Sequence, residues 1–161
     1  MLLVSASASR ADLSANGAFT LLRKIPPGSG MKDARSFLGK AYTEKDTGDG
    51  KLKITRWGTD ADKWVMDVLN DGKVVRAARV AWRTKSRSEQ QTIFAQLTSA
   101  GGKYFERYAS YNSVNGNSDA QWTDVDGKLL VRARIGSSGT EGVTLLSGIR
   151  DAKMDSGRYG F

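Results

Sequence analysis

Glu44 with Asp46, and Asp124 with Asp126, are acid pairs spaced closely enough for general acid–base work. Each pair flanks or sits in a turn open to water, so neither is expected to be catalytic. Thr47-Gly48-Asp49-Gly50 and Asp60-Ala61-Asp62 offer oxygen ligands of the kind calcium takes. Neither completes the acidic spacing of a calcium loop, and both read as turns. Ser137-Ser138-Gly139-Thr140-Glu141-Gly142 presents backbone donors suited to a phosphate, but without the terminal lysine and helix of a phosphate loop it reads as a hairpin tip.

The chain contains no histidine and no cysteine, which removes imidazole bases, thiolate nucleophiles, disulfides and the usual zinc ligands together. The expectation is a binding protein and not an enzyme, with no catalytic residue, no metal and no cofactor. Its formal charge of +8 favours acidic partners through long-range attraction. A solvated basic surface that only aids solubility would carry the same charge.

The elements that must position these charges follow from periodicity. The 161 residues suit a single domain, and the 39% hydrophobic and 26% charged content is globular. With 2 prolines and 18 glycines, many of them after Asp or Asn, the composition predicts a sheet with tight turns. Residues 18–25 read as a short strand ended by Pro26-Pro27-Gly28. Met31, Ala34, Phe37 and Leu38 predict a helix closed by Gly39. Alternation predicts strands over 51–57, 64–69 and 73–83, with a hairpin turn at Asn70-Asp71-Gly72. Ser88 with Gln91 reads as the cap of a long helix whose apolar positions run on to Tyr104, Phe105 and Tyr108, with Gly101-Gly102 as a break or kink. Strands over 121–125, 128–135 and 143–149 follow. No segment approaches the roughly 20 apolar residues of a membrane-crossing helix.

Two hairpins resemble each other: Asp71-Gly72-Lys73-Val74-Val75 with Ala78-Arg79-Val80, and Asp126-Gly127-Lys128-Leu129-Leu130 with Ala133-Arg134-Ile135. They predict two helix-plus-meander units, 29–85 and 86–161, within one α+β domain at 18–161, although so short a signature also arises wherever such a turn is wanted. The expected fold is α+β, an antiparallel meander sheet covered on one face by helices. Alternation then places Lys73, Arg79 and Arg83, with Lys128, Arg132 and Arg134, on the uncovered face. Those six are the predicted partner-binding residues, and as exposed side chains Arg79, Arg132 and Arg134 should tolerate reversal to Glu without loss of stability. Arg76 falls on the covered side, where it would have to reach the rim.

The favoured partner is an acidic protein. Single-stranded nucleic acid is the second partner class, resting on the same arginines and on Trp57, Trp64 and Trp122 as stacking surfaces. Residues 1–17 read either as the end of an export signal, from the small residues of Ala6-Ser7-Ala8 and Ser9-Arg10-Ala11, or as a disordered polar arm. The compartment is periplasmic or secreted in the first case and cytoplasmic if Met1 is the authentic start.

Gly30-Met31, leading through a short helix to Phe37-Leu38-Gly39, together with helix followed by meander twice over, resembles the beta-lactamase inhibitory protein-like superfamily, which includes small outer-membrane assembly lipoproteins. The chain departs from that pattern in a helix about two residues shorter, in Ala41 where a proline would follow the glycine, and in having no cysteine to lipidate. The resemblance implies an extracytoplasmic protein that grips another protein with an exposed sheet face.

Overall fold

A computed structural model describes residues 12–105, 107–112, 118–124, 129–135 and 141–149. Helix α1 spans Ala15–Lys24, α2 Met31–Leu38 and α3 Arg87–Gly101. The strands are β1 (Tyr42–Asp46), β2 (Lys53–Trp57), β3 (Trp64–Asn70), β4 (Val75–Arg83), β5 (Arg107–Asn112), β6 (Ser118–Thr123), β7 (Leu129–Ile135) and β8 (Glu141–Ile149). Among the described residues they form one antiparallel sheet of eight strands in the order β1-β2-β3-β4-β8-β7-β6-β5. The fold is α+β, as the sequence predicts.

The first element differs from expectation. Residues 15–24 form a helix, because Ser14 accepts the Gly17 N–H at 3.0 Å as an N-cap, and Ala18, Phe19, Leu22 and Ile25 recur at the helical period with all four buried. A window opened at residue 18 omits the cap and shows only alternation. Arg23 and Lys24 then complement the negative end of the helix dipole. The helix therefore begins inside the stretch that reads as an arm.

Helix α2 matches its predicted bounds, and Gly39 closes it at φ +97°, donating its N–H to the Arg35 carbonyl. Helix α3 is capped by Ser86, two residues before the predicted cap. Ser86 accepts the Glu89 N–H, and the Glu89 carboxylate accepts the Lys85 N–H in return. It ends at Gly101 instead of running on to Tyr108, which belongs to β5. A β-carbon on Gly101 would stand 2.2 Å from the Trp122 ring, so the glycine admits Trp122 against the helix.

The helices lie on one side of the sheet. Phe19, Leu22, Met31 and Leu97 pack there against Trp57, Met66, Val80, Trp122, Val131 and Leu145, all buried. Phe19 lies edge-on to Trp122 at 5.3 Å and stacks on Tyr104 at 5.2 Å.

Helix α2 precedes the meander β1–β4, and α3 precedes the meander β5–β8; the last strand of each, β4 and β8, joins them. The two Asp-Gly-Lys hairpins are not equivalent in this arrangement. The first joins strands three and four of its meander, whereas the second falls between β6 and β7, strands two and three. Topologically β4 corresponds to β8, so Arg79 and Arg134 are not counterparts.

Candidate functional site

Ladder register assigns each strand residue to a face. Trp57, Met66, Val80, Leu145 and Val131 point to the helices, and the residues between them point away. One row of the face free of the described helices, called the helix-free face below, then crosses the sheet as Thr43, Arg56, Asp67, Arg79, Leu146, Arg132 and Gln121, each opposite the next. This row brings Arg79 and Arg132 together on one face, and Arg134 stands on the same face two residues along β7.

The face is not one uniform basic surface. On β3 and β4, Val65, Asp67, Leu69, Ala77 and Ala81 are buried although they point away from the helices. Within this half Asp67 accepts two hydrogen bonds from Arg56, Nε at 2.6 Å and Nη2 at 2.8 Å, and one from Arg79 Nη2 at 2.7 Å. Burial alone would raise the Asp67 pKa, but the hydrogen bonds from Arg56 and Arg79, with their positive charges, outweigh it and hold the carboxyl below its usual value. The Arg79 side chain keeps only 12% of its exposure. It is a structural cation at this position and not an open contact, which corrects the expectation that its reversal would be tolerated.

Strands β6 and β7 differ. Leu130, Arg132, Leu146, Thr144 and Gln121 are each half-buried, and Arg134 is exposed. Asp119 lies opposite Arg134 and is held by Arg132, whose Nε stands 2.9 Å from both carboxylate oxygens and whose Nη2 also donates to Oδ2. This fork raises the Arg132 pKa, its hydrogen bonds and charge attraction prevailing over partial burial. Arg134 makes a longer contact, Nε to Oδ2 at 3.8 Å, and its side chain stays 52% exposed. Two guanidiniums thus share one carboxylate.

The remaining predicted contacts lie elsewhere. Lys73 sits in the β3–β4 turn, where its carbonyl accepts the Met31 N–H and its own N–H donates to Asp71. Arg83 binds the β2–β3 connection, donating to the Thr59 carbonyl at 2.9 Å and to the Asp60 carboxylate at 3.2 Å. Lys128 lies outside the described residues. Arg76 is exposed and paired with Asp71 at 3.0 Å, because the register shift between Leu69 and Asn70 breaks the alternation that would have buried it. Sequence reading missed Arg56, Asp67 and Asp119, which only register reveals as cross-strand partners of the arginines.

Of the acids that could have held metal or moved protons, Glu44 and Asp46 lie in β1, where Glu44 pairs with Arg35 and Lys53, Asp126 lies outside the described residues, and three others are engaged in turns. Asp49 accepts the Lys51 and Leu52 N–H groups, Asp62 accepts from Thr59, and Asp124 accepts the Leu129 N–H. The tip over residues 136–140 is outside the described residues. Trp57 and Trp122 are buried on the helix side, so they provide no stacking platform beside Arg79, Arg132 and Arg134. Among the described residues no helix is long and apolar enough to cross a membrane, which says nothing of β-barrels.

No family model and no curated protein matches the chain. One solved structure that resembles it is a cysteine-rich secretory protein from Staphylococcus aureus subsp. aureus Mu50, at a TM-score of 0.40 and 11% identity over 80% of this chain. This chain spans 45% of that protein's length. Likeness at that level carries no argument about fold or function.

Proposed function

We propose that this protein is a non-enzymatic, extracytoplasmic binding module of the inhibitor or envelope-assembly type, which grips an acidic partner protein through the β6–β7–β8 half of its helix-free sheet face. The observation that carries this reading is the cluster in which Arg132 and Arg134 share Asp119, beside half-buried Leu130 and Leu146. Arg132 is fixed in its fork before any partner arrives, which lowers the ordering cost of binding. Arg134 gives up little by exchanging its 3.8 Å contact for a partner carboxylate. The flanking leucines supply apolar area around the charges, as interface centres require. The α2-plus-four-strand and α3-plus-four-strand organisation agrees with the doubled helix-plus-meander that the superfamily resemblance implies.

The test places a photo-crosslinking amino acid at Thr144, next to Arg134 across the ladder, or at exposed Ser99 on α3, in the source cells. Adducts from position 144 that vanish with Arg134→Glu support the proposal. Equal adducts from position 99, or adducts from 144 indifferent to Arg134→Glu, reject this face.

A further inference from the structure

On the helix side of the sheet, a cavity of about 280 Å³ opens between the end of α1, the turn after α3 and strands β7 and β8. Its walls are mainly apolar, from Leu22, Pro26, Tyr104, Phe105, Leu129 and Val131. Among the described residues, three polar side chains also reach it: Ser147, Arg23 and Asp124. Asp124 closes the approach to β7 by accepting the Leu129 N–H at 3.2 Å.

Ser147 is the unusual residue. It stands on the helix-facing side of β8 between Ala78 and Val131 and is 2% exposed. Its side chain lines the cavity. A serine there offers a donor and an acceptor to whatever fills the cavity, which alanine at the same position would not. Arg23 lines the cavity too. It is exposed at the rim, its guanidinium 5.5 Å from the centre of the Tyr104 ring, and Tyr104 is itself stacked on Phe19. Among the described residues, an apolar chamber with a serine hydroxyl, an arginine at its mouth and the Asp124 carboxylate already accepting the Leu129 N–H has the usual composition of a small-molecule site.

We infer that this cavity binds a small aromatic carboxylic acid, its ring among Leu22, Tyr104, Phe105 and Val131, its carboxylate at Arg23, and a hydrogen-bonding group at its far end meeting Ser147. The volume accommodates one ring with a short side chain. The site lies on the side of the sheet opposite the arginine face, so neither reading depends on the other.

The test is a titration of the isotope-labelled full chain, followed by amide chemical shifts, with 3-(4-hydroxyphenyl)propionate, 3-phenylpropionate and tyramine. The hydroxylated acid should shift Leu22, Val131 and Ser147 saturably. 3-Phenylpropionate should bind about tenfold more weakly, since it leaves the serine unpaired, and tyramine more weakly still, since it brings a cation to Arg23. Ser147→Ala should abolish the preference between the two acids, and Arg23→Gln should weaken both by about fivefold. Absence of saturable shifts up to about 10 mM, equal affinity of the wild-type protein for the two acids, or a preference that survives Ser147→Ala would each overturn the inference. The comparison of the two acids on the wild-type chain needs no variant to fold.

Discussion

Asp67 stands directly opposite Arg79 across the β3–β4 ladder, and their side chains meet at 2.7 Å with Asp67 wholly buried. Arg56 closes on the same carboxylate from β2 at 2.6 Å. Removing the carboxylate charge leaves two guanidiniums facing each other in a place water reaches poorly. Asp67→Asn should therefore cost about 3–5 kcal/mol, the range for breaking a buried ion pair from one side. Chemical denaturation checks it, and a loss under about 1 kcal/mol would show that the cluster is not a stabilising feature. Arg79→Glu should be at least as damaging, because it sets two carboxylates together.

The same pair has a pH signature. The folded-state pKa of Asp67 is lowered, so its contribution is fully present above the ordinary carboxyl range and is lost as pH falls below about 4 toward the folded value. The wild-type midpoint of unfolding should fall through that acid window. Asp67→Asn should show a shallower fall, since one proton-linked group is gone; parallel profiles for the two proteins would count against the assignment.

Arg132 and Arg134 should separate in a stability measurement although they stand two residues apart on one strand. Arg132→Gln breaks a forked contact with Asp119 and should cost about 1–2 kcal/mol. Arg134→Gln loses only a 3.8 Å contact from an exposed side chain and should lie within about 0.5 kcal/mol of the parent. Equal losses would mean that the short and long contacts are interchangeable in solution.

Gly101→Ala would ordinarily stabilise a helix by up to about 1 kcal/mol. Here the new methyl would meet the Trp122 ring at 2.2 Å, and overpacking of this kind costs about 1–3 kcal/mol. The substitution should lower stability and disturb the fluorescence of Trp122. A stabilised variant with an unchanged emission maximum would disprove the packing role.

The strands with clear alternation and turn residues, β2, β3, β4 and β7, are legible in the sequence because one face of each is apolar and each borders an Asp-Gly turn or a Gly-containing connection. β1 was not legible: Tyr42–Asp46 is an edge strand in which Tyr42 alone packs on the core, against Trp57, and the other residues are exposed, so no alternation appears. β5 hid behind the apolar spacing of α3, which continues past Gly101 into Tyr104 and Phe105. The basic character of the face was legible, but its division was not. Single-strand alternation places Arg79 and Arg132 on one side without showing that Asp67 and Asp119 stand opposite them or that the β3–β4 half is buried. Ser147 gave no signal, since a serine among apolar strand residues looks like any tolerated substitution.

The most direct test of the arginine face compares two variants with the same loss of charge. Binding of a short polyglutamate peptide at low ionic strength should fall at least about tenfold in Arg132→Gln/Arg134→Gln, and less than about twofold in Lys32→Gln/Lys103→Gln, whose exposed lysines lie on α2 and just after α3. Equal losses in the two variants would show that net charge alone attracts the peptide, and would contradict a binding site on β7.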